Sequence, residues 1–134
     1  MPFTLCHGDI HGWNLLIDVN GALHIVDWDT LIYAPKERDL MFIGGGLGDS
    51  GYMPQEEEAM FYRGYGQSNV NQIAVAYYRY ERIIEDIAVY CKQIFLSKEG
   101  GNDREQSLEY LKSNFLPYDT IEIACKSDKT IRED

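Results

Sequence analysis

Apolar and polar positions along the chain follow two regimes. In the first quarter, "LLID" (15–18) and "LHIVDW" (23–28) are β-type runs. Asn20-Gly21 between them is a hairpin signal, because both residues tolerate positive φ. "FTLC" (3–6) is a short apolar run that leads into "HGDIHGWN". Residues 34–46 read as a loop, a short helix from about Lys36 and a glycine stop. Met53-Pro54 followed by Glu56, Glu57 and Glu58 marks a helix start, since proline suits the first turn and acids suit the positive end of the helix dipole. That helix is expected to run to Gly64 or Gly66. The longest periodic segment begins near Asn69. Ile73, Tyr77, Tyr80, Ile84, Ile87, Cys91 and Ile94 recur at spacings of four and three, one apolar face of a helix of about six to seven turns. Glu81, Arg82, Glu85 and Lys92 lie largely off that stripe. "KEGGN" (98–102) ends it. Asp103 to Phe115 reads as another helix stopped by Pro117, residues 118–126 as a last short helix, and 127–134 as a charged, frayed tail. A β-rich start followed by helices predicts the α+β class rather than alternating βαβ units. The expected organisation is a single domain over 1–134, with a hairpin region at 1–46 and a helical region at 53–126.

Composition narrows the partners. The chain has 134 residues, 45% of them apolar, which is enough for one domain with a core. Its net charge of −10 and pI near 4.6 weigh against nucleic acid and membrane surfaces, which such a protein repels. A cationic ligand fits that balance, and so does simple solubility. Cys6, Cys91 and Cys125 are odd in number and widely spaced, with no CxxC, so neither a zinc ribbon nor a disulfide framework is indicated. The expected setting is a reducing cytoplasm. No apolar run approaches the length of a membrane span.

The candidate chemistry lies in residues 5–14, "LCHGDIHGWN". "GDIHG" matches a metal-binding signature of metallophosphoesterases, and "HGDxxxxN" matches the catalytic loop of small-molecule kinases. A two-metal hydrolase needs further Asp, Asn and His ligands on later loops. After residue 14 the only histidine is His24, inside a predicted strand. Phosphoryl transfer asks for less: a carboxylate that orients the attacking hydroxyl and takes its proton, and an Asn and a second Asp that hold magnesium. In kinases the Asn follows the catalytic Asp by five positions. Asp9 and Asn14 have that spacing, and Asp27 ends the strand after the hairpin turn. The kinase reading therefore makes Asp9 the catalytic base and Asn14 with Asp27 the metal ligands.

Over residues 5–46 the chain resembles the aminoglycoside phosphotransferase family, and within it the spectinomycin phosphotransferase type. The resemblance is looser over the helices. It implies the C-terminal lobe of a protein-kinase-like fold, with ATP as co-substrate, Mg2+ as cofactor, and a small cationic aminoglycoside or aminocyclitol as acceptor. It also implies that Asp39, in "ERDL", braces the catalytic loop. His7 reads as a second brace, His11 as a structural or phosphate-side group beside the cofactor, and Asp29 as a metal contact, a support behind the metal ligands or a surface carboxylate. Trp13 stands where the family commonly has glycine, so it either strains the backbone or packs over the pocket. Glu81, Glu85 and Asp86 could line an acidic ligand site or form a solvated helix face. "GLGDSG" (46–51) fits GxGxxG but follows the catalytic loop, so it reads as a connector.

A kinase also needs a glycine-rich loop and a strand lysine, both ahead of the catalytic loop. Neither occurs before Asp9. The expectation is a lobe fragment that is inactive alone. The competing class is a non-catalytic, self-associating module, a homodimer formed through exposed apolar surface.

Overall fold

The computed structural model describes residues 1–46, 51–66, 69–98 and 100–133. Two antiparallel strand pairs organise the first 35 residues. β1 (Phe3–Cys6) pairs with β4 (Ile32–Pro35), Phe3 opposite Pro35 and Cys6 opposite Ile32. Between them β2 (Leu15–Ile17) and β3 (Leu23–Ile25) form the expected hairpin, Leu15 opposite Ile25. Its turn differs in detail from the Asn-Gly expectation, because Gly21 alone takes positive φ. Asp18 holds the turn instead: its Oδ1 accepts the N–H groups of Asn20 and Ala22 at 2.8 and 2.9 Å. Those contacts and His24 hold the Asp18 carboxyl below its ordinary range.

The helices follow in the order α1 (Glu37–Leu40), α2 (Pro54–Tyr65), α3 (Gln72–Phe95), α4 (Asn102–Ser113) and α5 (Thr120–Glu133). The class is α+β, as the pattern predicts. α2 starts with Pro54 in its first turn, and the Glu56 carboxylate accepts the Met53 N–H at 3.2 Å. α3 is capped by Asn71, whose Oδ1 accepts the Ala74 N–H at 3.1 Å. The Asn71 N–H in turn reaches Oε1 of the buried Glu37 at 3.0 Å, which fastens α3 to α1. Met41, Phe42 and Val75 form the core, with Ile10, Val70 and Tyr78 packed against it. The core thus lies directly behind the opening motif. Residues 47–50 of the GxGxxG segment lie outside the described residues.

Two expectations for the helices need correction. The Ile/Tyr stripe is only partly the packed face of α3: Ile73, Tyr77 and Ile84 are 67%, 58% and 68% exposed, while Tyr80, Ile87, Cys91 and Ile94 are half-buried. The buried face is offset and carries Val75, Ala76, Arg79 and Ile83. Arg79 sets it. Only 5% exposed, its guanidinium donates from Nε to the Met41 carbonyl (3.0 Å) and from Nη2 to the Ile43 carbonyl (2.7 Å). Its Nη1 donates to Ser127 Oγ at 2.6 Å, and Glu58 lies 3.4 Å from Nη2. Burial pushes its pKa down from the ordinary arginine value, against the pull of Glu58. The same contact explains the second correction. α5 continues to Glu133 instead of fraying after 126, because Ser127 is anchored on Arg79 and Ala124 is fully buried.

Arg79→Met keeps most of the packing volume and strips Met41 and Ile43 of their donors. It is expected to cost about 2–4 kcal/mol, measured as a shift of the urea unfolding midpoint. A loss below about 0.5 kcal/mol, the range of ordinary surface changes, would show the guanidinium to be dispensable.

Candidate functional site

The opening motif folds as a tight loop between β1 and a 3-10 turn at Gly12–Asn14. Gly8 has φ +85°, and a Cβ there would collide with the Thr30 carbonyl oxygen. Only glycine fits, which accounts for the residue ahead of Asp9. The Asp39 carboxylate accepts both neighbouring amides, His7 N–H at 2.9 Å and Gly8 N–H at 2.8 Å. Thr30 donates its hydroxyl to the His7 carbonyl at 2.9 Å. His7 is buried, with Nε2 2.9 Å from the Val26 carbonyl and Nδ1 facing the Asp9 N–H at 3.3 Å. Those contacts assign the proton to Nε2, so both ring nitrogens are engaged. The side chains expected to brace the loop, His7 and Asp39, both contact it directly.

Asp9 is partly buried beside α3. Its Oδ1 accepts from Arg82 Nη1 at 2.5 Å, and Oδ2 lies 3.4 Å from His11 Nε2. The Asn14 amide donates from Nδ2 to the Asp9 carbonyl at 2.7 Å, which leaves its Oδ1 as the group open to a cation. Val26 N–H bonds the Asn14 carbonyl at 3.0 Å, so the hairpin's far strand is stitched to this loop. Asp27 follows in the left-handed conformation, φ 65° and ψ 60°, a region that Asp visits more readily than most residues. Its carboxyl is hydrogen-bonded to that of Asp29. That contact and the Asp29 charge push it above the usual carboxylate range, and Asp9 adds to the effect. Trp13 has no positive φ, so the expected backbone strain is absent. Its ring is 74% exposed at the mouth of the adjoining cavity.

That cavity, about 600 Å³, lies between the starts of α2 and α5, the end of α4 and the middle of α3. Glu56, Glu57, Asp86 and Asp119 face it, together with Trp13 and Tyr90. Of the three acids weighed on α3, Asp86 lines the cavity. Glu81 instead accepts from the Tyr77 hydroxyl on the outer face, and Glu85 is exposed. Sequence reasoning missed Arg82. The Arg82–Asp86 spacing of four is a visible signal, but nothing local pointed to Asp9, 73 positions away.

The oxygen donors of Asn14 and Asp27, with Asp29 adjacent, suit Mg2+, which takes one or two carboxylates and completes its shell with water and phosphate. Among the described residues no three His, Cys, Asp or Glu side chains form a ready metal cluster. No helix among them is long and apolar enough to cross a membrane.

The family model for the phosphotransferase enzyme family matches residues 1–81. A solved spectinomycin phosphotransferase, APH(9)-Ia, in complex with ADP and spectinomycin, is 44% identical over 94% of this chain, with a TM-score of 0.84. The AMP-bound complex of spectinomycin phosphotransferase APH(9)-Ia is 46% identical over 91%, with a TM-score of 0.79. The chain spans 38% and 37% of the length of those two chains. No curated protein matches it.

Asp39→Asn removes the charge that holds two loop amides. Charge-assisted hydrogen bonds of this kind contribute about 1.5–3 kcal/mol. The His7 and Gly8 amides are expected to exchange with solvent about 10- to 100-fold faster in the variant, by NMR, while α3 amides keep their rates. Unchanged His7 and Gly8 exchange would remove Asp39 from the brace.

Proposed function

The chain belongs to the phosphotransferase enzyme family, and from that premise we propose that it is the acceptor-side lobe of a kinase-like fold. The reaction is transfer of the γ-phosphate of ATP to a hydroxyl of an aminoglycoside- or aminocyclitol-like cation. The observation that carries this reading is the acidic, aromatic-edged cavity whose wall residue Asp86 is joined to Asp9 through Arg82. Carboxylates on its wall attract ammonium groups, and ring faces stack on apolar sugar faces and attract cations. Asp9 orients the acceptor hydroxyl and takes its proton. Asn14 and Asp27 hold Mg2+, with Asp29 beside them. When bound, Mg2+ neutralises charge on the phosphates of the nucleotide. His11 positions Asp9 from the side opposite Arg82.

Calorimetry tests the acceptor site. Spectinomycin is expected to bind saturably, with affinity that falls as salt is raised, and an uncharged cyclitol is expected to give no heat. Equal binding of the two removes the cationic-acceptor reading. For the metal, Mn2+ should bind Asp27→Ala at least about tenfold more weakly than the parent, a loss typical even of supporting groups around a metal. Equal affinities remove the assignment.

A second reading, the self-associating module, is favoured by the strands. Leu5, Ile17, Leu23 and Tyr33 are all 60% exposed or more. Burying a large apolar side chain contributes roughly 1.5–3 kcal/mol, so two copies that cover these positions would gain substantially. Light scattering at micromolar concentration is expected to report a dimer. A mass that stays at 15.4 kDa as concentration rises would sink the dimer.

A further inference from the structure

Arg82 stands between the two halves of the site. From the middle of α3 its Nη1 meets Asp9 Oδ1 at 2.5 Å, while its Nε meets Asp86 Oδ1 and Oδ2 at 3.0 and 3.1 Å. Its Cζ lies 5.9 Å from the centre of the Phe42 ring, a core residue only 2% exposed. The guanidinium is therefore stacked on the core and forked between two carboxylates. One belongs to the catalytic loop and the other to the cavity wall. Although burial works against its charge, Asp86 and Asp9 hold its pKa above the ordinary arginine value.

A fork of this kind does something a point charge cannot. A guanidinium is planar, and its donors leave in fixed directions, so two carboxylates bound to it are fixed relative to each other. We propose that Arg82 is a positioning residue that registers the Asp9 carboxylate with Asp86 on the cavity wall. The acceptor's hydroxyl and its cationic group are then read as a pair. This rests on the phosphotransferase reading and deepens it. The preferred acceptor is an amino alcohol whose ammonium and reacting hydroxyl lie on neighbouring positions, one directed to Asp86 and the other to Asp9. A bland bridge between loop and helix would show the same contacts, but it would be indifferent to which ligand binds and to which atoms form the fork.

Two measurements separate these roles. The first is turnover of the full chain with ATP, Mg2+ and spectinomycin. Arg82→Met is expected to lower kcat by about 10- to 100-fold, the cost of a misplaced reacting group. KM for spectinomycin should change less than about threefold in the same variant. Arg82→Lys is expected to recover little, because one ammonium cannot hold two carboxylates in a fixed relation. Unchanged kcat in a folded Arg82→Met, or full rescue by Arg82→Lys, overturns the proposal.

The second measurement needs no turnover. In nitrogen-detected NMR of the arginine side chains, Arg82 is expected to show separate, slowly exchanging Nη signals. These should move when spectinomycin is added and should merge in Asp9→Asn. Merged Nη signals in the parent, or signals indifferent to Asp9→Asn, overturn the proposal whatever the activity. A locked Arg82 that spectinomycin fails to shift overturns the paired reading of the acceptor. Absence of parent turnover alongside a locked, ligand-sensitive Arg82 would count against the phosphotransferase reading alone.

Discussion

The fold hangs on a buried guanidinium. Taking an arginine out of water costs several kcal/mol unless its donors are met, and Arg79 meets them with two backbone carbonyls and a serine hydroxyl. Those acceptors come from the turn after α1 and from α5, so a single side chain fixes α3 against both. Glu58 adds α2 to the same knot. Once α3 is set about this point, its rotation is no longer free. Residue 82 lies three positions on, close to the same face, and is therefore turned toward the catalytic loop. The arginine that secures the fold thereby aims the arginine that touches Asp9.

Charge explains why such an acidic chain tolerates so many carboxylates in one region. Asp29 pushes the Asp27 carboxyl above its usual range, and the charge of Asp9 adds to the effect. Asp86 is paired with Arg82, and Glu56, Glu57 and Asp119 face the same cavity. Like charges held together by a fold give up stability, and that cost returns as affinity for whatever cation relieves it. A magnesium ion at one end of the site and an ammonium-bearing acceptor at the other would each provide that relief. Arg82 neutralises the middle, which keeps the two anionic regions from merging into one undirected field.

Local features of the fold were legible in the sequence. The hairpin and the start and end of α2 are set by residues a few positions apart, and they stand where the pattern puts them, whereas α1 ends at Leu40, ahead of the glycines expected to stop it. The spacing of Asp9, Asn14 and Asp27 was equally visible, because a hairpin of known length separates them. What failed depended on distant partners. β4 reads as loop from "APK" alone, and it is a strand because β1, about 30 positions earlier in the chain, pairs with it. The packed face of α3 was assigned to Ile and Tyr by hydrophobicity, yet the true face holds an arginine and small residues. No apolar count expects a buried charge, and the acceptors that permit it are backbone carbonyls with no sequence signature. The length of α5 was lost for the same reason, since Ser127 looks like tail until Arg79 is opposite it.

His7 shows how the loop assigns roles by exclusion. A histidine two residues from the proposed base Asp9 invites a part in proton transfer. Its Nε2–H is committed to the Val26 carbonyl and its Nδ1 to the Asp9 amide. Its ring lies 4.8 Å from that of Trp28. A ring with both nitrogens engaged and its plane held by an aromatic neighbour has no lone pair to offer a substrate. It acts as a strut instead. Val26 receives that strut on its carbonyl and spends its own N–H on the Asn14 carbonyl, so the residue ahead of Asp27 ties both ends of the opening loop to the end of β3. Asp9 instead presents its carboxylate to Arg82 and His11. Its backbone is fixed through His7, Gly8 and Asp39, so its carboxylate is held with little conformational freedom left to lose.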